Sequence, residues 1–258
     1  MKNGQVTAFV IIGIVLAAVI TLSFIFKESI AEQASKIGLK QIMMSKEAKK
    51  VQSDMQACIG DIAELGLITM GLQGGYSTID SRVMHTETQT KINYIPYDGT
   101  AYSYFKGQNL VPTKEIMEKQ LAYFVTSNID TCENPYEDME VSYGKTTAMA
   151  TLQKEKISLN VNTEVKIKKG TAESGFKSIT LNMPVRLGTV QEVANEIVTK
   201  QIKISEEDIC VSCVARIAAE NDVGVEIDKI GEDVFYLITD EKSRIADTNF
   251  MFVLANKF

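Results

Sequence analysis

The chain contains no tryptophan and one histidine, His85. A histidine-rich metal site is therefore excluded by count. His85, set among Thr and Glu residues, reads as a solvated loop side chain. Proline is scarce, 4 in 258 residues, while 45% of the chain is hydrophobic, so a disordered chain is excluded as well. Basic residues gather into no stripe and the formal net charge is -6, which argues against a nucleic-acid partner. There is no Asn-x-Ser/Thr sequon, so that form of glycosylation is not expected. Gly144-Lys145-Thr146 has the look of a P-loop end, but the loop's first glycine should fall at Met139. No catalytic constellation stands out, and no metal or cofactor is expected.

Against these absences stands one long uncharged run. Residues 5–26 carry no Asp, Glu, Lys or Arg, and fourteen of them are Val, Ile, Leu or Phe. As a helix the run spans about 33 Å, against a hydrocarbon core of about 30 Å. Its apolar side chains favour insertion by about 4 to 8 kcal/mol. A cleaved secretory signal would have a shorter apolar region and a small-x-small site after it. Here Phe26-Lys27-Glu28-Ser29-Ile30 follows, so the helix is expected to remain as an anchor in membrane lipid.

The start, Met1-Lys2-Asn3-Gly4 followed by Gln5-Val6-Thr7-Ala8-Phe9, resembles the class III signal peptides of archaeal type IV pilin-like proteins. Gly4 and Gln5 match the processing point, Thr7 stands for the usual Ser, and Phe9 replaces the usual Glu. The resemblance implies a leader cut on the cytoplasmic side and an apolar helix that packs with its neighbours. The N-terminal third is also similar to a group of archaeal exported proteins that combine a Gly-Gln-Val-Thr start with Gln-Gly-Gly-Tyr, here Gln73-Gly74-Gly75-Tyr76. Lys27, Lys36, Lys40 and Lys46 follow the apolar run, and taken literally they favour a cytoplasmic domain. The signal resemblance and the cysteines point outward, so an extracytoplasmic, cell-surface domain is expected.

The helical pattern continues past the membrane. Ile30, Ala34, Ile37, Gln41, Met44, Ala48, Val51, Met55, Cys58, Ile62 and Leu65 follow alternating steps of four and three, with charges on the other faces. One helix over residues 5–65 would be about 90 Å long. Gly66, Gly71, Gly74 and Gly75 are expected to end it. The stripe fits either packing on the chain's own domain or a coiled-coil seam for self-association or other envelope proteins.

The predicted fold class is α+β: a long N-terminal transmembrane and amphipathic helix, then a mostly antiparallel sheet domain with interspersed helices. Residues 1–4 form a leader or cytoplasmic tail, 5–26 the transmembrane helix, 27–66 the amphipathic stalk and 67–258 the extracytoplasmic domain. A hairpin is predicted from 91–96 and 101–106 around Asp98-Gly99. A helix capped by Thr113 runs to Asn128. Apolar and polar residues alternate over 157–167 and 178–187, predicting an antiparallel pair joined by a loop at 168–177. Pro184 places the second strand at an edge or bulge. Segments 141–143 and 148–153 extend the sheet. Helices follow over 189–203 and, from a variant capping box at Ser205, to Glu220. Strands close the chain at 223–230, 234–239 and 250–254. The acidic region of Asp228, Glu232, Asp233, Asp240 and Glu241 reads as a solvated surface.

Four cysteines, Cys58, Cys132, Cys210 and Cys213, allow three pairings in an exported domain. Cys58–Cys132 with Cys210–Cys213 is favoured. The first would close a loop worth about 4.5 kcal/mol in the chain-entropy model. Cys210-Val211-Ser212-Cys213 places two sulfurs near a helix N-terminus, where a thiolate is stabilised, but the preceding Glu206, Glu207 and Asp208 raise the thiol pKa, and the pair is read first as a structural disulfide. No strand-loop approach, aromatic or Pro of a thioredoxin-like enzyme surrounds it. The leading functional expectation is a pilin-like, non-enzymatic membrane-anchored subunit. Its alternatives are a membrane-tethered thiol–disulfide oxidoreductase using Cys210 and Cys213, and an accessory or receptor subunit binding a partner protein.

Overall fold

The computed structural model describes residues 45–77, 99–204 and 209–258. Gly4, Gln5, the apolar run at 5–26, the strand predicted at 91–96, His85 and the capping box at Ser205 lie outside them.

Helix α1 spans Lys46–Leu72. Among the described residues it alone is long and apolar enough to cross a membrane by length and composition. Its burial is nevertheless one-sided: Val51, Ile59, Ala63 and Leu67 are wholly buried in the domain, while Lys49, Lys50 and Asp54 are exposed. That is how an amphipathic core helix partitions its faces.

The predicted heptad line holds only over the first turns of α1. Ala48, Val51 and Met55 are buried, and the buried line then moves to Ile59, Ala63, Gly66 and Met70. Leu65, predicted on the seam, is 56% exposed. A straight helix turns every 3.6 residues, so a 3.5-residue repeat slides around it by about 20° per heptad. Gly66 and Gly71 do not end the helix. They sit inside it where neighbours come closest: a Cβ at Gly66 would stand 2.9 Å from Phe124 Cδ1, and one at Gly71 would overlap the Met251 carbonyl oxygen. The helix stops with Gly74 in the left-handed region (φ 69°), and the Gly75 N–H donates to Met70 O at 2.7 Å. This is the Schellman termination. Residues 47–66, predicted as stalk, are thus largely the domain's own core helix.

One sheet holds five strands: β1 (Tyr102–Phe105), β2 (Gln108–Asn109), β7 (Gly224–Ile230), β8 (Asp233–Ile245) and β9 (Thr248–Lys257). Their spatial order is β2-β1-β9-β8-β7. β1 runs parallel to β9, and every other pair is antiparallel. The second sheet is built on β5 (Ile157–Lys169). On one side β5 pairs with β6 (Ala172–Met183). On the other it pairs in succession with β4 (Thr147–Leu152) and β3 (Glu140–Tyr143). The chain is therefore a mixed α+β domain rich in antiparallel pairs.

Helix α2 (Lys114–Asn128) is capped as predicted, with the Ile116 N–H donating to Thr113 Oγ1 at 3.4 Å. It lies along the outer edge of β4. There the Ala148 N–H donates to Thr126 Oγ1 at 3.1 Å and the Leu152 N–H to Glu118 Oε1 at 2.7 Å. Helix side chains thus occupy strand amides that would otherwise offer an edge for pairing.

Helix α3 (Leu187–Ile202) is the most deeply packed, buried at Leu187, Val190, Val193, Ala194, Ile197 and Val198. Helix α4 (Val211–Glu220) follows. Two strand predictions change. The loop predicted at 168–177 is mostly strand, because pairing continues to Lys169↔Ala172 around Gly170 (φ 61°). A ladder end projecting into water satisfies its backbone without an apolar face, so alternation does not reveal it. The second strand stops at Met183, since Pro184 has no N–H to donate. Val185 and Leu187 are instead buried in the turn into α3. β8 and β9 also run longer than predicted and meet at Ala246 and Asp247, both at positive φ.

Candidate functional site

All four cysteines are paired. Cys58 of α1 bonds Cys132, 74 positions later in the sequence, with 5.7 Å between Cα atoms. Cys132 ends the 3-10 turn Ile129–Cys132 that follows α2, and it is fully buried. Two further contacts fasten the same side of α1. The Tyr136 hydroxyl donates to Asp54 Oδ2 at 3.0 Å, and Lys169 Nζ lies 3.4 Å from Glu47 and 2.9 Å from Asp138. Burial, followed by the Asp54 carboxylate that accepts its hydrogen bond, pushes the Tyr136 hydroxyl pKa upward. Lys169 holds the Asp138 carboxyl below its ordinary value, first through their hydrogen bond.

Cys210 and Cys213 form the second pair, with Cα atoms 5.3 Å apart. The helix begins at Val211, later than the predicted start near Ser205, and Cys210 is its N-cap. The Cys213 N–H donates to Cys210 Sγ at 3.2 Å, and Ser212 Oγ lies 3.8 Å from the same sulfur. Both cysteines are half-buried, and Val211 between them is 63% exposed. The chain reaches this turn from α3 and leaves it through α4 into β7. Among the described residues no strand leads into this turn.

A buried charged cluster is not legible in the sequence. Asp240, expected among the solvated acidic residues, has no exposed surface. Arg186, just before α3, donates from Nη1 to Asp240 Oδ1 at 2.9 Å and from Nη2 to Asn221 O at 2.7 Å. Its backbone N–H donates to Ser243 Oγ at 2.8 Å, and the Ser243 hydroxyl donates to Asp240 Oδ2. Asp240 and Ser243 meet because β8 slips register against β9 between Asp240 and Arg244. The extra residues there turn both side chains inward. An irregularity in register has no signature in apolar alternation. The cluster joins α3, β8 and the α4–β7 turn.

In the same five-stranded sheet, Tyr236 and Asn256 are both wholly buried. Ser103 Oγ, Tyr236 Oη and both polar atoms of the Asn256 side chain lack hydrogen-bond partners. Burial pushes the Tyr236 hydroxyl pKa up to about 12, offset in part by the Asn256 side chain, which lies near it without meeting hydrogen-bond geometry. Among the described residues no cluster of three His, Cys, Asp or Glu side chains is placed to hold a metal ion. No family model, curated protein or solved structure matches the chain.

Proposed function

We propose that this chain is a membrane-anchored subunit that displays its α+β domain at the cell surface, acting through association of its N-terminal helix. The observation that carries the proposal is the way α1 is held. A helix that only tethered a domain would need no more than a flexible joint. Here α1 is buried in the domain at Ala48, Val51, Met55 and Ile59 and is bonded to it through Cys58–Cys132. A force or displacement at the start of α1 therefore passes to the whole domain. Two disulfides support an oxidising compartment. The uncharged run at 5–26 supplies the anchor, and the Gly4-Gln5 start supports processing of the pilin-like kind.

The experiment is fractionation of native membranes, followed by mass mapping of the N-terminus and protease treatment of intact cells. The expected result is a protein released by detergent but not by high salt, beginning at Gln5, self-associated in mild detergent, and digested from outside. A protein freed by salt, or one monomeric in detergent whose loss leaves every surface filament and envelope layer in place, would remove the proposal.

A further inference from the structure

We infer that the Cys210–Cys213 pair is a thiol–disulfide exchange centre in which Cys210 forms the bond to a partner disulfide and Cys213 resolves it. This goes beyond display and does not depend on it.

The two disulfides of the domain do different physical work. Cys58–Cys132 joins two separate helical segments across 74 residues, and Cys132 is wholly buried. Cys210–Cys213 joins residues three apart within one turn, so it holds no two elements together. In the chain-entropy model closing the long loop stabilises the fold far more than closing the short one. Helix α4 also has its own attachments: Val214, Ile217 and Ala218 are buried, and Arg186 Nη2 donates to Asn221 O at the helix end at 2.7 Å. Opening the short bridge therefore leaves the helix in place, which a cycling disulfide needs.

The two sulfurs are not equivalent. Cys210 Sγ is the helix cap, accepting the Cys213 N–H at 3.2 Å with Ser212 Oγ at 3.8 Å. The dipole of the helix N-terminus acts on the same atom. These donors stabilise negative charge on Cys210 Sγ once the bridge is open. Arg216, one turn further along α4, is occupied by Glu220 at 2.8 Å and Glu196 at 4.0 Å.

The exchange proceeds through two displacements. In the dithiol form, the Cys210 thiolate attacks one sulfur of a partner disulfide. That S–S bond breaks, and the partner's other sulfur leaves as a thiolate and is protonated. Cys213, giving its proton to water, then attacks Cys210 Sγ. The mixed bond breaks and the partner's second thiolate departs and is protonated. The partner disulfide has gained two electrons and two protons, and the chain holds the Cys210–Cys213 bond seen here. A partner dithiol reverses the sequence and restores the reduced centre.

The test uses the full-length protein in detergent with oxidised and reduced glutathione as probes. In a glutathione buffer of increasing reducing strength, Cys210–Cys213 should open reversibly while Cys58–Cys132 stays bonded and the circular dichroism is unchanged. After mild reduction, Cys213→Ser should form a glutathione adduct at Cys210 about tenfold faster than Cys210→Ser forms one at Cys213. Equal rates at the two positions, or a Cys210–Cys213 bond that opens only together with Cys58–Cys132 or with loss of structure, overturns the inference and leaves a structural staple. The wild-type titration decides the matter even if a variant fails to fold.

Discussion

Arg186 and Asp240 show how much can depend on two side chains. Each is buried and charged, and each is the other's nearest opposite charge, with Ser243 and Asn221 completing the hydrogen bonds and the exposed Glu155 carboxylate 3.7 Å from Arg186 Nε. Removing one partner leaves the other's charge without compensation in the interior, which costs about 3 to 5 kcal/mol. Arg186→Met or Asp240→Leu should therefore destabilise by that amount in urea titrations with both disulfides intact. The double variant should lose clearly less than the sum, because it leaves no stranded charge. Full additivity would show that the two side chains act independently.

Tyr236 makes the opposite case. Its hydroxyl is buried and lacks a partner, so it contributes little at neutral pH beyond its ring. Its folded-state pKa stands at about 12 against an ordinary value of 10.0. The folded state thus favours the protonated form. Stability from this group is complete below about pH 10 and is lost as pH rises toward 12. Tyr236→Phe should be close to neutral at pH 7. It should also flatten the alkaline loss of stability between about pH 10 and 12, measured by urea midpoints across that range.

At the scale of elements, the glycines of α1 separate two causes that sequence alone cannot distinguish. A Cβ added at Gly60 would have nothing within 4 Å, whereas one at Gly71 would overlap the Met251 carbonyl of β9. Both lie inside a helix, where Gly is unfavourable relative to Ala by up to about 1 kcal/mol. Gly60→Ala should therefore stabilise by up to about 1 kcal/mol. Gly71→Ala should destabilise by about 1 to 3 kcal/mol, since backbone must move to admit it. Thermal unfolding of the two variants tests the contrast, and the same sign for both would mean that α1 does not pack on β9 at this point. The edges of the second sheet are treated unequally as well. β4 is covered by α2 side chains, while among the described residues β6 pairs only with β5.

Across the whole domain, Cys58–Cys132 is the bond that makes the first helix part of the fold. Replacing both cysteines by Ser should cost about 2 to 5 kcal/mol and should expose α1 to proteolysis before the sheets unfold. Limited digestion with mass mapping would follow this, and first cuts within the sheets would contradict it.

The sequence by itself determined what is local and periodic. Alternation in residues 157–167 placed the central strand, Thr113 placed a cap, and the cysteine count limited the pairings to three. Each of these depends on neighbours in the chain. Tertiary structure decided the rest. The buried line of α1 drifts because a real helix has its own pitch, and Gly66 and Gly71 became contact points because other elements approach them. Asp240, indistinguishable in sequence from its solvated acidic neighbours, is buried because a slip in β8 turns it toward an arginine 54 residues away. Burial and register are properties of which segments meet, and no single segment carries that information.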